Sequence, residues 1–172
     1  MVVSMLVGIL SDTHNDSIIA REAVRLFDGF GVEHLIHCGD VGGEAVFDEF
    51  VGHSLTFVWG NTDFPSGGLF AYLESVGITP PRDIPTTVVL GGKKFAVFHG
   101  HESKFESSIV GLEVDVICHG HTHVARDDVV HRKRIINPGA LHRARRKTVA
   151  VFDTETNDLK ILDVETGKPV HG

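Results

Sequence analysis

Five short polar motifs, each directly after a short apolar run, constrain this sequence more than any other feature. Short apolar runs bounded by glycine and polar residues are typical of buried strands, so each motif is predicted to occupy the loop at a strand end. The carboxyl ends of parallel strands meet at one edge of a sheet, where ligand crevices form. We therefore expect the motifs to lie close together in the folded chain. They are Asp12-Thr13-His14, Gly39-Asp40, Gly60-Asn61, His99-Gly100-His101 and Gly120-His121-Thr122-His123.

The beginning of the chain alternates strand and helix patterns. Apolar residues recur at 3.6-residue spacing after the first motif and predict a helix, for which Asn15, Asp16 and Ser17 are N-cap candidates. This βαβαβ order favours a largely parallel sheet that is buried on both faces. The predicted strands are residues 5–10, 34–38 and 55–59, and the predicted helices end near Phe30 and cover 43–51.

After about residue 84 the pattern changes and strand candidates crowd together. Only residues 103–112 have a helical pattern in this half of the chain. Two packed sheets with helices on the outside accommodate both halves, so we predict an α/β fold with a single domain over residues 1–172. The strand candidates are residues 86–90, 94–98, 114–118, 127–130, 134–137, 148–152 and 159–164.

Size and composition limit the classes of protein to consider. The chain has 172 residues, of which 42% are hydrophobic, and no apolar stretch approaches the roughly 18 residues of a membrane span. Its N-terminus lacks the basic segment of a signal peptide, and its two cysteines suggest no disulfide framework. A formal charge of −7 disfavours stable binding to nucleic acid or anionic membrane. We expect a cytoplasmic protein, with homo-oligomerisation left open.

The five motifs together indicate a metal site, although each alone is weak. Aspartate and glycine end many strands as turn formers, and strand alternation by itself can place two histidines on one face. Unpaired histidine and aspartate side chains gathered in one crevice would repel one another unless a cation held them. Mixed oxygen and nitrogen ligands suit manganese, iron, nickel or zinc better than an all-oxygen magnesium or calcium site.

The ordered motif set, followed by Asn137-Pro138-Gly139, resembles the calcineurin-like metallophosphoesterase superfamily, and in particular the small YfcE-type phosphodiesterases. The resemblance extends from Asp12 to about Gly139. It implies a four-layer αββα sandwich of two mixed sheets flanked by helices, with two divalent transition-metal ions per chain, manganese first. By the family pattern Asp40 bridges the two ions. The first ion is held by Asp12, His14 and His123, and the second by Asn61, His99 and His121.

The same resemblance implies a reaction. A hydroxide that bridges the metals attacks the phosphorus of a small phosphodiester or phosphomonoester in line, and Asp40, Asn61, His99 and His101 are the predicted catalytic residues. An alternative is a protein-interaction scaffold similar to the retromer vacuolar-sorting subunit, which has this fold and a degraded metal site. Nucleases of the superfamily usually carry an extra DNA-binding domain that this chain is too short to contain.

Several positions depart from the family pattern or remain open. The superfamily motif GNHE has a histidine where this chain has Thr62, so Asp63 or His101 are the candidates to protonate the leaving group, with His101 preferred as a partner that orients a ligand. Ala140 replaces the serine of NPGS. Cys38 and Cys118 are expected to be buried strand residues rather than ligands. The basic stretches Arg132–Arg134 and Arg143–Lys147 either contact substrate phosphate or are solvated strand and turn residues, the latter preferred.

Overall fold

Three parallel strands and an antiparallel pair form the first sheet of the computed structural model, which describes residues 4–170. The strand order is β10-β9-β1-β2-β3, and β1, β2 and β3 run parallel to one another. β9 pairs antiparallel with both β1 and β10, so the chain returns to the first strand after the rest of the fold is complete. The strands are β1 (Leu6–Leu10), β2 (His34–His37), β3 (Leu55–Phe57), β9 (Thr148–Asp153) and β10 (Leu159–Asp163).

The second sheet is also mixed, with a parallel centre and antiparallel edges. Its order is β4-β5-β6-β8-β7, in which β5, β6 and β8 are parallel and both β4 and β7 pair antiparallel with a neighbour. The carboxyl ends of its three central strands therefore point to one side of the sheet. The strands are β4 (Thr86–Leu90), β5 (Lys93–Val97), β6 (Val116–Cys118), β7 (Arg126–Val130) and β8 (Lys133–Asn137).

Within residues 4–170, four α-helices cover the outer faces of the sheets. The longest, α1, begins after Asp16, whose carboxylate caps the Ile19 amide at 3.1 Å, and ends at Gly31 with a left-handed backbone. The short α2 continues into a 3₁₀ turn over Asp48–Phe50. Together they occupy the segment 43–51 that was predicted to be helical. The helices are α1 (Ser17–Phe30), α2 (Glu44–Phe47), α3 (Gly67–Ser75) and α4 (Phe105–Gly111).

Among the residues that the structure describes, three apolar clusters separate four layers. Strand alternation explains them, because successive side chains point to opposite faces of a sheet. In β1, Val7 and Ile9 face the second sheet, whereas Leu10 packs under α1 and α2. In β5, Phe95 faces the first sheet and Ala96 faces α4. The predicted αββα sandwich is confirmed.

Helix α3 is the element that the sequence analysis missed. Its first residues are Gly67 and Gly68, poor helix formers that follow Pro65. The helix nevertheless starts at a regular cap, in which the Ser66 hydroxyl accepts a hydrogen bond from the Leu69 amide at 3.2 Å. Only Leu73 is buried within it, so α3 has almost no apolar periodicity to detect. No helix within residues 4–170 is long and apolar enough to cross a membrane.

Candidate metal centre

The loops that follow β1, β2, β3, β5 and β6 meet at the carboxyl ends of the parallel strands. They bring all seven predicted metal ligands into one cluster, in which each ligand lies within hydrogen-bond or ion-pair distance of another. The cluster contains Asp12, His14, Asp40, Asn61, His99, His121 and His123.

One part of the cluster is centred on the fully buried Asp12. Its Oδ2 atom accepts hydrogen bonds from the Ser11 hydroxyl at 2.5 Å and the His121 amide at 3.2 Å. Its Oδ1 atom lies 3.2 Å from Nε2 of His123 and 3.7 Å from Nε2 of His14. One oxygen is thus fixed by the protein and the other faces two imidazole nitrogens.

The other part is centred on the Asn61 side-chain oxygen. Asn61 Oδ1 lies 2.9 Å from Nε2 of His99 and 3.1 Å from Nδ1 of His121. Asp40 stands between the two parts, because its Oδ2 atom is 3.3 Å from His99 Nε2 and 3.5 Å from His14 Nε2. Asp40 therefore lies within ion-pair distance of one histidine side chain in each part.

His99 is oriented by the main chain. Its Nδ1–H donates to the Cys38 carbonyl at 2.7 Å, which leaves Nε2 directed at two acceptor oxygens, those of Asn61 and Asp40. Burial lowers the pKa of His99, but the hydrogen bonds to Asp40 and Cys38 outweigh this effect and the pKa is raised. Burial likewise opposes ionisation of Asp40, yet hydrogen bonds from His99 and Thr62 hold its pKa well below the ordinary value. A proton or a cation is therefore favoured between these groups.

The buried atoms of the cluster fit divalent cations. Within residues 4–170, Asp12 Oδ1 and His14 Nε2 are buried without a hydrogen-bond partner. Buried polar atoms without partners are rare and costly, and these two of the four found in this part of the chain belong to a potential ligand set. Burial lowers the pKa of His14, which keeps its imidazole neutral and available as a ligand. The mixture of carboxylate, amide and imidazole donors suits transition-metal ions.

The backbone at the cluster is held in an unusual conformation. The left-handed region costs energy for residues other than glycine and is found preferentially at functional sites. Gly60 permits a close approach of two loops, because a Cβ atom there would lie 2.1 Å from Asp40 Oδ1. Five of the seven predicted ligands have positive φ: Asp12, His14, Asp40, His121 and His123.

Asp63 joins two of the loops. Its carboxylate accepts hydrogen bonds from the amides of Val41 at 3.1 Å, Gly42 at 3.0 Å and Gly60 at 2.8 Å. Burial raises its pKa, although the three amides oppose this effect. Asp63 was a candidate to protonate a leaving group, but both of its oxygens hold backbone amides. Its observed role is to fix the loop that carries Asp40 against the loop that carries Asn61.

His37 contacts the loops that carry the cluster, a role that the sequence did not predict. Its Nδ1 accepts from the Gly39 amide at 3.2 Å, and its Nε2 lies 3.0 Å from the Thr13 hydroxyl, which donates to the Val41 carbonyl at 2.8 Å. Burial lowers the pKa of His37 to about 3, so the ring is neutral. A polar residue at the last position of a buried strand was the signal that could have identified it.

His101 and Thr62 lie beside the ligands in different ways. The His101 ring is 5.3 Å from the His99 ring, but the Cys38 carbonyl, not His101, orients His99. Thr62 donates its amide to Asp40 Oδ1 at 2.8 Å. The predicted role of His101 in orienting a ligand therefore has no hydrogen bond to support it within the part of the chain that the structure describes.

The loop after β8 completes the edge of the cluster. The Asn137 side-chain amide donates to the Gly120 carbonyl and to the Thr122 hydroxyl, both at 3.0 Å, and so links this loop to the GHTH motif. The His142 ring lies 5.5 Å from the His14 ring, a proximity that the sequence analysis did not foresee. Beside this loop lies a groove with a volume of about 740 Å³, and His123 is one of the residues that line it.

Comparisons with known proteins point to one family over most of the chain. The family model described as a calcineurin-like phosphoesterase superfamily domain matches residues 5–157. Phosphodiesterase MJ0936 of Methanocaldococcus jannaschii is 31% identical over 166 residues, which cover 94% of this chain and 100% of the relative. A solved structure described as a novel archaeal phosphodiesterase superimposes with a TM-score of 0.83 at 30% identity, covering 92% of this chain and 99% of the other.

More distant structures share the fold. The phosphoesterase YfcE of E. coli superimposes with a TM-score of 0.71 at 20% identity, and each chain is covered to 97%. A zinc complex of Vps29 from Entamoeba histolytica gives a TM-score of 0.59 at 18% identity, covering 93% of this chain and 99% of that one. At these identities the similarity is one of fold.

Proposed function

Because the chain belongs to the calcineurin-like phosphoesterase superfamily, a family of phosphoester hydrolases, we propose that it hydrolyses a small phosphodiester with two divalent metal ions. The observation that carries this proposal is the pair of ligand groups joined by Asp40. Asp12, His14 and His123 would hold one ion, and Asn61, His99 and His121 would hold the other. Asp40 bridges them, since its Oδ2 atom reaches a histidine of each group.

The ions, when bound, supply a water of lowered pKa and polarise the phosphoryl group. The protein contributes ligand geometry and charge. Two dications exceed the negative charge of Asp12 and Asp40, so the site attracts phosphate even though the chain carries a formal charge of −7. Asn61 adds a neutral ligand, which preserves this local excess of positive charge. Manganese is our first choice of metal, with iron, nickel and zinc as alternatives.

Positioning of the reactants falls to the loops. The Asp63 carboxylate holds the Asp40 loop against the Asn61 loop, and the Cys38 carbonyl fixes the tautomer of His99. These contacts keep the ligand atoms in place before a substrate arrives. Preorganisation of this kind is a large part of what a protein contributes to phosphoryl-group chemistry.

A protein-interaction scaffold is the competing function, since Vps29 proteins share the fold. Metal binding alone does not separate the two, because one Vps29 structure is a zinc complex. Turnover of a phosphoester does separate them. The retention of all seven ligands favours the enzyme.

The test combines metal analysis with hydrolysis of bis-p-nitrophenyl phosphate. Protein purified without chelators and loaded with Mn²⁺ is expected to hold about two ions per chain and to turn over this substrate. Asp40→Ala is expected to remove activity while the metal-free protein keeps its fold by circular dichroism. Asp158→Asn, an exposed site in the turn before β10, is the control and keeps full activity. An inactive wild type, or an active Asp40→Ala protein, contradicts the proposal.

A further inference from the structure

A groove runs from the candidate metal centre along the loop that follows β8. It has a volume of about 740 Å³, within the range of pockets that hold small ligands. Thr122, His123 and Val124 line one wall, and residues 143–146 line the other. Because His123 belongs to the ligand cluster, a molecule that reacts at the cluster has the groove as a place for its remaining atoms.

The basic residues of this wall are not all engaged within the protein. Arg146 lies 3.6 Å from the Asp163 carboxylate, and Lys147 lies 3.7 Å from that of Glu165. Arg143 and Arg145, by contrast, are exposed and have no ion pair or hydrogen bond with any other residue within 4–170. Two unpaired guanidinium groups therefore stand in a groove of an acidic chain.

The other basic stretch provides a contrast. Lys133 is buried and directs its ammonium group at the Val110 carbonyl, and Arg134 forms a two-point ion pair with Asp127 on the neighbouring strand. These two residues are used to stabilise the second sheet. The expected role as solvated strand and turn residues does not hold for Lys133 and Arg134, which are engaged within the protein. Arg143 and Arg145 have no such contacts in the described part of the chain.

The loop that carries residues 143–146 has a hydrogen bond on each side, one to the residue before Asp12 and one between the two ends of the loop itself. At its start the Leu141 amide donates to the Ser11 carbonyl at 3.2 Å, next to Asp12. At its end the Thr148 hydroxyl donates to the Pro138 carbonyl at 2.7 Å. The wall is therefore fixed relative to the ligand cluster, as a specificity site requires.

We propose that Arg143 and Arg145 bind a second phosphate of the substrate, so that the preferred substrates are phosphodiesters of nucleotide size with a further phosphate group. The proposal rests on the proposed function, because it assigns the scissile phosphate to the metal centre. Arginine suits this role, since its planar donors match phosphate oxygens and it stays charged at all relevant pH values.

A matched pair of chromogenic esters tests the proposal. Thymidine 5′-(p-nitrophenyl phosphate) and its 3′-phosphorylated form share the scissile bond and the leaving group and differ by one phosphate. For the Mn²⁺-loaded wild type, kcat/KM is expected to be on the order of tenfold higher for the 3′-phosphorylated ester, which corresponds to one or two charge-assisted hydrogen bonds. The double variant Arg143→Ala/Arg145→Ala is expected to lose this ratio.

Arg132→Ala is the matched control. Arg132 is also an exposed arginine with a left-handed backbone, φ 64° against 54° for Arg143, but it lies in the β7–β8 turn at the opposite end of β8. This control should keep the wild-type ratio of the two substrates. The single variant Arg145→Ala, at a position without positive φ, should lower the ratio in part and guards against a folding defect at position 143. Equal kcat/KM values for the two esters in the wild type overturn the proposal, as does an unchanged ratio in the double variant.

A binding measurement separates failure of this proposal from failure of the proposed function. In chelated buffer no metal-dependent hydrolysis occurs, and calorimetry can compare thymidine 3′,5′-bisphosphate with thymidine 5′-phosphate. The wild type is expected to bind the bisphosphate several-fold more tightly, and the double variant to bind both equally. Equal affinities in the wild type overturn the second-phosphate site even if the enzyme is active. A difference that the double variant abolishes supports the site even if no ester is hydrolysed.

Discussion

Thr62 is the residue at which this chain departs most clearly from the pattern of its superfamily. Its main-chain amide still holds Asp40 Oδ1 at 2.8 Å, so its backbone contributes to the cluster whatever side chain it carries. Its hydroxyl lies 3.5 Å from Nδ1 of His14, one of the predicted metal ligands. A threonine hydroxyl is not a general acid near neutral pH. The departing oxygen is therefore expected to leave with its negative charge largely unneutralised.

Substitution of Thr62 by histidine tests this expectation. A positioned general acid contributes about 10²–10⁴-fold, and an introduced one is expected to contribute less because no neighbour orients it. Thr62→His should raise kcat/KM selectively for substrates with poor leaving groups, and so flatten the dependence of kcat/KM on leaving-group pKa. Thr62→Val keeps the amide and the shape, and should keep the wild-type slope. Equal slopes for Thr62→His and wild type would show that protonation at this position plays no part.

His37 gives a prediction about stability against pH. Burial lowers its pKa to about 3, whereas an unfolded histidine titrates near 6.5. Below pH 6.5 the unfolded chain binds a proton that the folded chain does not, so the free energy of unfolding falls as the pH falls from 6.5 toward 3. This residue alone should lower the free energy of unfolding by about 1.4 kcal/mol between pH 7.5 and 5.5.

Denaturant unfolding in chelated buffer at several pH values measures this effect. His37→Gln should show a shallower loss of stability toward acid than wild type, whatever its stability at pH 7.5. His131→Gln, at an exposed turn position, serves as the control and should follow the wild-type curve. Parallel curves for wild type and His37→Gln would contradict the assignment of a neutral buried ring.

At the scale of single elements, two glycines illustrate how differently one residue type is used. A Cβ atom at Gly60 would lie 2.1 Å from Asp40 Oδ1 and 2.3 Å from the Asp40 amide nitrogen, whereas a Cβ at Gly29 in α1 would contact nothing within 4 Å. Gly60→Ala must therefore displace the Asp40 loop, and should lower kcat/KM on bis-p-nitrophenyl phosphate by at least about tenfold. Gly29→Ala should keep activity and raise the free energy of unfolding by about 0.5–1 kcal/mol.

Measurements of activity and thermal unfolding on the two variants test whether Gly60 is required for the position of the Asp40 loop. Full activity in Gly60→Ala would mean that the two loops can separate without consequence for the site. Loss of activity in Gly29→Ala would mean that the comparison reports general destabilisation instead.

The elements differ in how well the sequence predicted them, and the reason is physical. Strand β1 is buried at every residue after the first, so a short apolar run followed by Asp12 predicts both the strand and the place of its loop. The resemblance to the superfamily, and with it the αββα fold, is confirmed. Helix α3 was not predicted because it buries only one residue. The supporting role of His37 was not predicted because its contacts come from residues distant in sequence. The free arginines of the groove were visible as charges, but only the fold shows that Asp163 and Glu165 reach Arg146 and Lys147 and not the other two.

At the scale of the whole molecule, the candidate metal cluster is expected to lower the free energy of unfolding of the metal-free protein. Without a cation, the fold must bury Asp12 with one oxygen unpartnered and hold Asp40 among imidazoles. Burial of a carboxylate with one oxygen unpartnered costs free energy, whereas burial of a neutral amide of the same shape costs less. A ligand that binds only the folded state then stabilises it, by about 2.7 kcal/mol at a concentration one hundred times its Kd. Metal binding is therefore expected to contribute substantially to the stability of this chain.

Asp12→Asn separates the two effects. In chelated buffer this variant should unfold at the same temperature as wild type or higher, because it removes a buried charge and keeps the size of the side chain. With saturating Mn²⁺ the wild type should gain several degrees in Tm, and Asp12→Asn should gain much less because a charged ligand is lost. Asp158→Asn removes an exposed carboxylate by the same substitution and should retain the full metal-dependent gain. A metal-free Asp12→Asn protein that is clearly less stable than wild type would show that the Asp12 charge stabilises the fold by itself. A full metal-dependent gain in that variant would show that Asp12 is not a ligand.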